Sequence, residues 1–209
     1  MSKKHFAALI STMLYLIVVG FSDFPPKTVG LKPWDYIPMF PIDDGVVLQP
    51  NRSSSVLSYE DFIEKREAAK AISRKYKGVD FETAMQVTSL VYHEARTHKL
   101  DPKLVLALIA TESSFNPDSL SIKGAKGYTQ VIPKWHRDKI LNRDIWDMKV
   151  NIEAGVKVLR DCFSRNRTEY SALACYNGAT TPDKATAYKQ AIDRNKNFFI
   201  AAVRQSNLG

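Results

Sequence analysis

Residues 104–110 (LVLALIA) are apolar on every side. A helix without a polar face is stable only when other elements surround it. Asp101 and Pro102, immediately before the run, supply a helix start with proline at the first helical position. Apolar residues recur at helical spacing on both sides of this segment. Ser58, followed three residues later by Asp61, reads as an N-cap, with Tyr59, Phe62, Ile63, Ala69 and Ile72 periodic up to Gly78. A second helix fits 82–99 through Met85, Leu90, Val91, Tyr92 and Ala95, and further helices fit 150–163, 168–176 and 184–203. No convincing strand run or repeat occurs, and 115–150 is rich in loop signals. The expected fold class is mostly α.

The N-terminal part obeys different rules. Residues 6–21 (FAALISTMLYLIVVGF) are uncharged and apolar, preceded by Lys3, Lys4 and His5 and followed by Asp23. A cleaved secretory signal and an uncleaved membrane anchor share this layout. Val18-Val19-Gly20 is a poor cleavage site, which favours an anchor, and no cysteine follows that could be lipidated. In either case the lysines stay in the cytoplasm and the rest is exported. Six of the ten prolines (Pro25, Pro26, Pro33, Pro38, Pro41 and Pro50) fall in 22–57, where neither helical nor alternating periodicity can persist. The chain therefore divides into an anchor or signal segment over 1–22, an extended proline-rich linker over 23–57, an accessory helix over 58–80 and a main domain over 81–209.

Net charge is +8, and most of it sits in 81–209. That favours polyanionic surroundings such as lipid headgroups or wall polymers. No block of five like charges appears, so a basic nucleic-acid tail is not expected. Two cysteines are too few for a disulfide-built scaffold or a four-ligand zinc site. Cys162 and Cys175 could meet across a helix pair, but their unequal offsets from the turn near residue 166 favour two reduced, buried thiols. His93 and His98 lie five apart, off the spacing that puts two ligands on one helical face, so they and His136 read as surface or packing residues. No metal or cofactor is expected. The G-x-x-G of Gly124 and Gly127 would have to open a helix to act as an RNA-binding KH loop, and Pro133 follows too soon.

Glu112 carries the chemistry. It ends the apolar helix, and Asn116-Pro117 soon stops that helix. Partial burial and the negative end of the helix dipole both disfavour its carboxylate and raise its pKa, as a general acid near neutrality requires. Residues 112–130 read ESSFNPDSLSIKGAKGYTQ. This stretch resembles the catalytic segment of the soluble lytic transglycosylase family (the SLT type, lysozyme-like), whose pattern runs E-S-x-F-N-P, a serine, G-A-x-G and a glutamine. Glu112, Ser113, Phe115, Asn116, Pro117, Ser121, Gly124, Ala125, Gly127 and Gln130 match without a gap, whereas Tyr128 and Thr129 replace the usual Leu and Met. Residues 144–159 resemble the helix carrying N-I-x-x-G. Residues 172–178 (ALACYNG) resemble A-x-A-Y-N-x-G, with Cys175 in place of a small residue.

The resemblance covers roughly 82–200 and implies roles for particular residues. Glu112 would be the single catalytic acid and base. Ser121 and Gln130 would hydrogen-bond near the scissile sugar, through its N-acetyl group or the Glu112 carboxyl. Tyr176 and Asn177 would line the cleft floor, and Tyr188, eleven residues on, would orient Glu112 or the sugar. The implied reaction cleaves peptidoglycan between N-acetylmuramic acid and N-acetylglucosamine and closes a 1,6-anhydro ring without consuming water. Glycan strands are the implied partner, with the inner membrane engaged through 6–21. The setting would be the periplasm, an envelope-spanning assembly or a phage particle, with no nucleic acid. One alternative is a hydrolase of goose-type lysozyme character, with Asp118 or another acid activating water. Another is a non-catalytic wall-binding scaffold, which an intact set of Glu112, Ser121 and Gln130 argues against.

Overall fold

A computed structural model describes residues 52–204, which form α1 (Arg52–Lys75), α2 (Phe81–Thr97), α3 (Pro102–Glu112), α4 (Arg137–Ile140), α5 (Met148–Arg165), α6 (Glu169–Asn177) and α7 (Pro182–Arg204). Four helices begin at a side-chain oxygen that satisfies an otherwise orphaned backbone N–H. Asp80 accepts from the Thr83 amide, Asp101 from Lys103, Asp147 from Val150 and Thr168 from Ser171. Pro102 occupies the first turn of α3, where its missing N–H costs nothing. Gly178 closes α6 at φ 66°, in the left-handed region that glycine enters without steric penalty.

Every residue from Leu104 to Ala110 is buried, so α3 is the central post of the domain. Around it pack Val87, Val91 and Ala95 of α2, Ile152, Val156 and Leu159 of α5, Leu173 of α6, and Ile192 and Phe199 of α7. The segment between α3 and α5 contributes Phe115 and Tyr128 to the same core. A smaller cluster of Val131, Ile140, Ile145, Val150, Ala154 and Val158 anchors the rest of that segment to α5. The segment contains two isolated antiparallel bridges, Leu120 with Lys126 and Lys126 with Val131, and the single turn of α4. The mostly α expectation and the loop-rich 115–150 stretch both correspond to what is seen.

Three expectations require correction. α1 starts at Arg52, so Ser58 lies inside a helix instead of capping one, and 52–57 belong to that helix and not to an extended linker. Several serines precede Ser58 and compete as caps, which left the boundary ambiguous. α1 is also no mere accessory, because Ala68, Ala69 and Ile72 are fully buried in the main core. Finally, Cys162 and Cys175 form a disulfide between α5 and α6, with Cα atoms 5.8 Å apart and Cys175 exposed. They are therefore not two reduced, buried thiols. The anchor expected over 1–22 and the linker up to residue 51 lie outside the described residues. No helix among the described residues is long and apolar enough to cross a membrane.

Because Ile72 is fully buried against the central cluster, Ile72→Ala should destabilise the domain by about 2–5 kcal/mol. Urea unfolding measures this, and a loss under about 0.5 kcal/mol, the range of surface substitutions, would make α1 an appendage.

Candidate active site

Glu112 is the last residue of α3, where the buried run reaches the protein surface. Its carboxyl is partly buried, and Oε1 accepts a 2.5 Å hydrogen bond from the Tyr188 hydroxyl on α7. Burial pushes its pKa up to about 7, while the Tyr188 hydrogen bond works in the opposite direction. No second carboxylate is a source of this shift. Tyr188 is itself buried, and burial together with the nearby Glu112 charge holds its phenol well above the usual range, so it stays a neutral donor. Tyr176, on α6, is held neutral in the same way, and its hydroxyl donates to the Thr129 carbonyl at 2.7 Å.

The wall beside Glu112 is the 113–131 segment. Ser113 Oγ donates to the Tyr128 carbonyl at 2.8 Å and thereby ties the end of α3 to the loop. Ser121 accepts from the Ala125 amide through Oγ, and its own amide donates to the Ala125 carbonyl. Gln130 Nε2 donates to the carbonyls of Ser119 and Gly127 at 2.9 and 3.0 Å. Ser121 and Gln130 therefore close the loop on itself, and neither is bonded to the Glu112 carboxyl. Gln130 also sits at φ 50°, and Gly124 and Gly127 at 82° and 70°, which the tight path of the loop requires. Asn177 lies exposed at the end of α6, next to Tyr176. Of the expected site residues, the structure thus brings Tyr188 directly to Glu112 and Tyr176 to the loop, and places Ser121 and Gln130 within the loop itself. Asp118 is exposed on the same segment, its backbone amide bonded to Asn116 Oδ1.

The residue that holds this wall in place was not singled out from sequence. Asn151, 1% exposed, accepts from the Thr129 amide and hydroxyl through Oδ1 at 2.9 and 2.8 Å. Its Nδ2 donates to the carbonyls of Lys126 and Ile145 at 2.9 and 3.0 Å. One side chain thus satisfies four polar groups of an irregular segment that has no ladder to satisfy them. Two glycines make the approach possible. A Cβ on Gly127 would fall 2.3 Å from Asn151 Nδ2, and one on Gly155 would fall 2.4 Å from Thr129 Cβ. The signal was present in the N-I-x-x-G motif, since Asn151 and Gly155 are its two ends.

A helical domain built round one buried post, with a lone acid of raised pKa where that post surfaces, is a lysozyme-like architecture. The chain belongs to the Transglycosylase SLT domain family, whose model matches residues 89–199. It is similar to the transglycosylase of Enterobacteria phage PRD1, 30% identical over 121 residues that make up 56% of this chain and 45% of that protein. It is also similar to the membrane-bound lytic murein transglycosylase C of Mannheimia succiniciproducens, 37% identical over 86 residues, or 36% and 24% of the two chains. The protein of that name from Actinobacillus pleuropneumoniae is 30% identical over 132 residues, 53% and 36% of the two chains. The chain spans less than half the length of each of these relatives.

Two outcomes follow from this geometry. Asn151→Ala leaves buried polar groups of Thr129, Lys126 and Ile145 without partners, at about 1–3 kcal/mol for each unsatisfied group, so the total loss in urea unfolding should reach at least about 3 kcal/mol. Glu112 has the opposite sign. Its folded-state pKa of about 7 lies above the ordinary 4.5, so between those values the folded domain holds a proton that the unfolded chain has released. Stability therefore falls as pH rises through that window. Glu112→Gln, which removes the charge, should be more stable than wild type by roughly 1–3 kcal/mol at pH 8, with the gap closing towards pH 4.5. Thermal melts of both proteins across this range measure it, and a pH-independent difference would contradict the raised pKa.

Proposed function

We propose that this chain is a peptidoglycan lytic transglycosylase. It cleaves the β-1,4 bond between N-acetylmuramic acid and N-acetylglucosamine and leaves a 1,6-anhydro end. The observation that carries this reading is Glu112, a lone carboxyl with a pKa of about 7, bonded to a neutral phenol and lying beside a loop with the family's motif. In its acid form Glu112 donates its proton to the glycosidic oxygen as the bond to the anomeric carbon breaks. The sugar's own N-acetyl group shields the developing cation. The Glu112 carboxylate then takes the proton of the 6-hydroxyl, whose oxygen bonds to the anomeric carbon. Glu112 is restored, the ring is closed and no water is consumed. A pKa near neutrality suits a group that must act as acid and then as base. Two-carboxylate glycosidases divide those tasks between residues at a set separation, and no second carboxylate perturbs Glu112.

In this reading Tyr188 orients Glu112, Tyr176 and Asn177 form the cleft floor, and Ser121 and Gln130 shape the loop on which the N-acetyl group rests. The names of the relatives, a phage transglycosylase and membrane-bound murein enzymes, fit a domain that works at the cell wall. The Cys162–Cys175 disulfide supports an oxidising setting such as the periplasm or a virion, with residues 6–21 as the inner-membrane anchor.

Glu112→Gln should fold yet lose at least about a hundredfold in turnover, the scale of general acid catalysis. Muropeptides released by the wild-type chain should be one water lighter than hydrolysis products by mass spectrometry. Products of full hydrolytic mass would instead assign the goose-type reaction.

A further inference from the structure

A groove of about 520 Å³ runs between the second half of α1 and the last turns of α7, away from the residues the mechanism uses. Arg66, Lys70, Arg74 and Lys75 line it from α1, and Phe198 lies on the α7 side. Small side chains, Ala71, Ala201 and Ala202, keep it open. One carboxylate is already seated among the four cations. Glu67 Oε1 lies 3.2 Å from Arg66 Nε and 2.9 Å from Lys70 Nζ. Three positive charges remain in excess, and no ion pair engages Arg74 among the described residues.

Two hydrogen bonds through Asn195 link the rim of the groove to the end of α3. Asn195 Oδ1 accepts from Lys75 Nζ at 3.3 Å, and Asn195 Nδ2 donates to Thr111 Oγ1 at 3.0 Å, one residue before Glu112. Tyr188, Asn195 and Ala202 recur every seven residues and so share one face of α7. Phe198 stands about 15 Å along the helix axis from Tyr188, at about 1.5 Å per residue. Much of the groove lies outside the family match of residues 89–199, since α1 ends before it and Ala201 and Ala202 follow it.

We propose that this groove binds the carboxylate-bearing peptide stem of the glycan strand held at Glu112, an inference that rests on the peptidoglycan reading above. The chemistry matches on both counts. A peptide stem carries free carboxylates for the surplus cations and alanine methyls for the small apolar lining of Ala71, Ala201 and Ala202, beside a Phe198 ring that Lys75 Nζ already covers at 4.0 Å. The reach matches as well, because an extended peptide covers about 15 Å in four or five residues at about 3.3–3.6 Å each. The groove thus makes the enzyme prefer glycan that still carries its stems over glycan that has been stripped of them.

The test compares the full chain with Lys70→Glu/Arg74→Glu and with Arg74→Lys on two substrates: murein with its stems, and glycan strands freed of them by an amidase. The ratio of kcat/KM on stem-bearing to stripped strands should fall about tenfold in the double variant and stay within about twofold of wild type in Arg74→Lys. A soluble stem tetrapeptide without sugar, titrated into the same proteins, should bind the double variant at least about tenfold more weakly. An unchanged ratio or equal tetrapeptide binding overturns the proposal. So does a charge reversal that abolishes binding to phosphatidylglycerol vesicles while leaving the ratio intact, since the groove would then serve a lipid surface. If the wild-type chain released nothing from either substrate, the reading of its activity would fall, and the tetrapeptide titration would still decide the groove.

Discussion

Burial of α3 on all sides fixes both the place and the chemistry of Glu112. Residues 104–110 cannot rotate or slide without exposing apolar surface, so the first charged residue beyond them is delivered to one point at the edge of the core. Five large aliphatic side chains contribute about 1.5–3 kcal/mol each when fully buried. That outweighs the roughly 1–3 kcal/mol by which an ionised Glu112 disfavours the fold at alkaline pH. The site therefore depends on a post stable enough to carry a disfavoured charge. α1 belongs to the same account, because Ala68, Ala69 and Ile72 close a side of the core that the family-matched residues by themselves would leave open.

The second requirement is an ordered wall without regular structure. The segment from Ser113 to Val131 has only two isolated bridges, yet Tyr128, Thr129 and Val131 are buried, so its backbone groups need partners from elsewhere. Beside short backbone bonds, side chains supply them: Ser113 reaches the Tyr128 carbonyl, Gln130 the carbonyls of Ser119 and Gly127, Tyr176 that of Thr129, and Asn151 the Lys126 carbonyl and the Thr129 amide. Such an arrangement tolerates little substitution. At Gly127 and Gly155 the reason is contact distance, since any Cβ there would displace Asn151 or Thr129.

Much of this was legible because it follows from short-range rules. The all-round apolar run, the Asp101-Pro102 helix start and the loop-rich interval gave the mostly α architecture, and the family resemblance pointed to Glu112, Tyr176 and Tyr188. What stayed hidden depended on distance in space. Ser121 and Gln130 could be picked out by pattern, but pattern alone does not tell whether a side chain faces a ligand or its own loop. Asn151 opens the N-I-x-x-G motif, but no local pattern shows its partners, because its bonds span up to 25 residues of sequence. The disulfide was missed because helices that meet round a turn were expected to pair at equal offsets. Non-helical residues 166–168 let α6 slip along α5 instead, so that Cys175, six residues into α6, reaches Cys162, three from the end of α5.

Tyr176 and Tyr188 show how similar residues acquire different tasks from their neighbours. Both are pressed into a site where burial and the Glu112 charge suppress their ionisation, so each hydroxyl is available only as a neutral group. Tyr176 commits its proton to the Thr129 carbonyl and steadies the wall. Tyr188 donates a hydrogen bond to Glu112 and favours the carboxylate, opposing burial, which favours the acid. For the proposed reaction this opposition is useful. Burial unrelieved would leave an acid too reluctant to surrender its proton, and a better solvated carboxyl would rarely be protonated at neutral pH. With a pKa of about 7, both forms of Glu112 are populated in one pH range, as a single group serving both proton transfers requires.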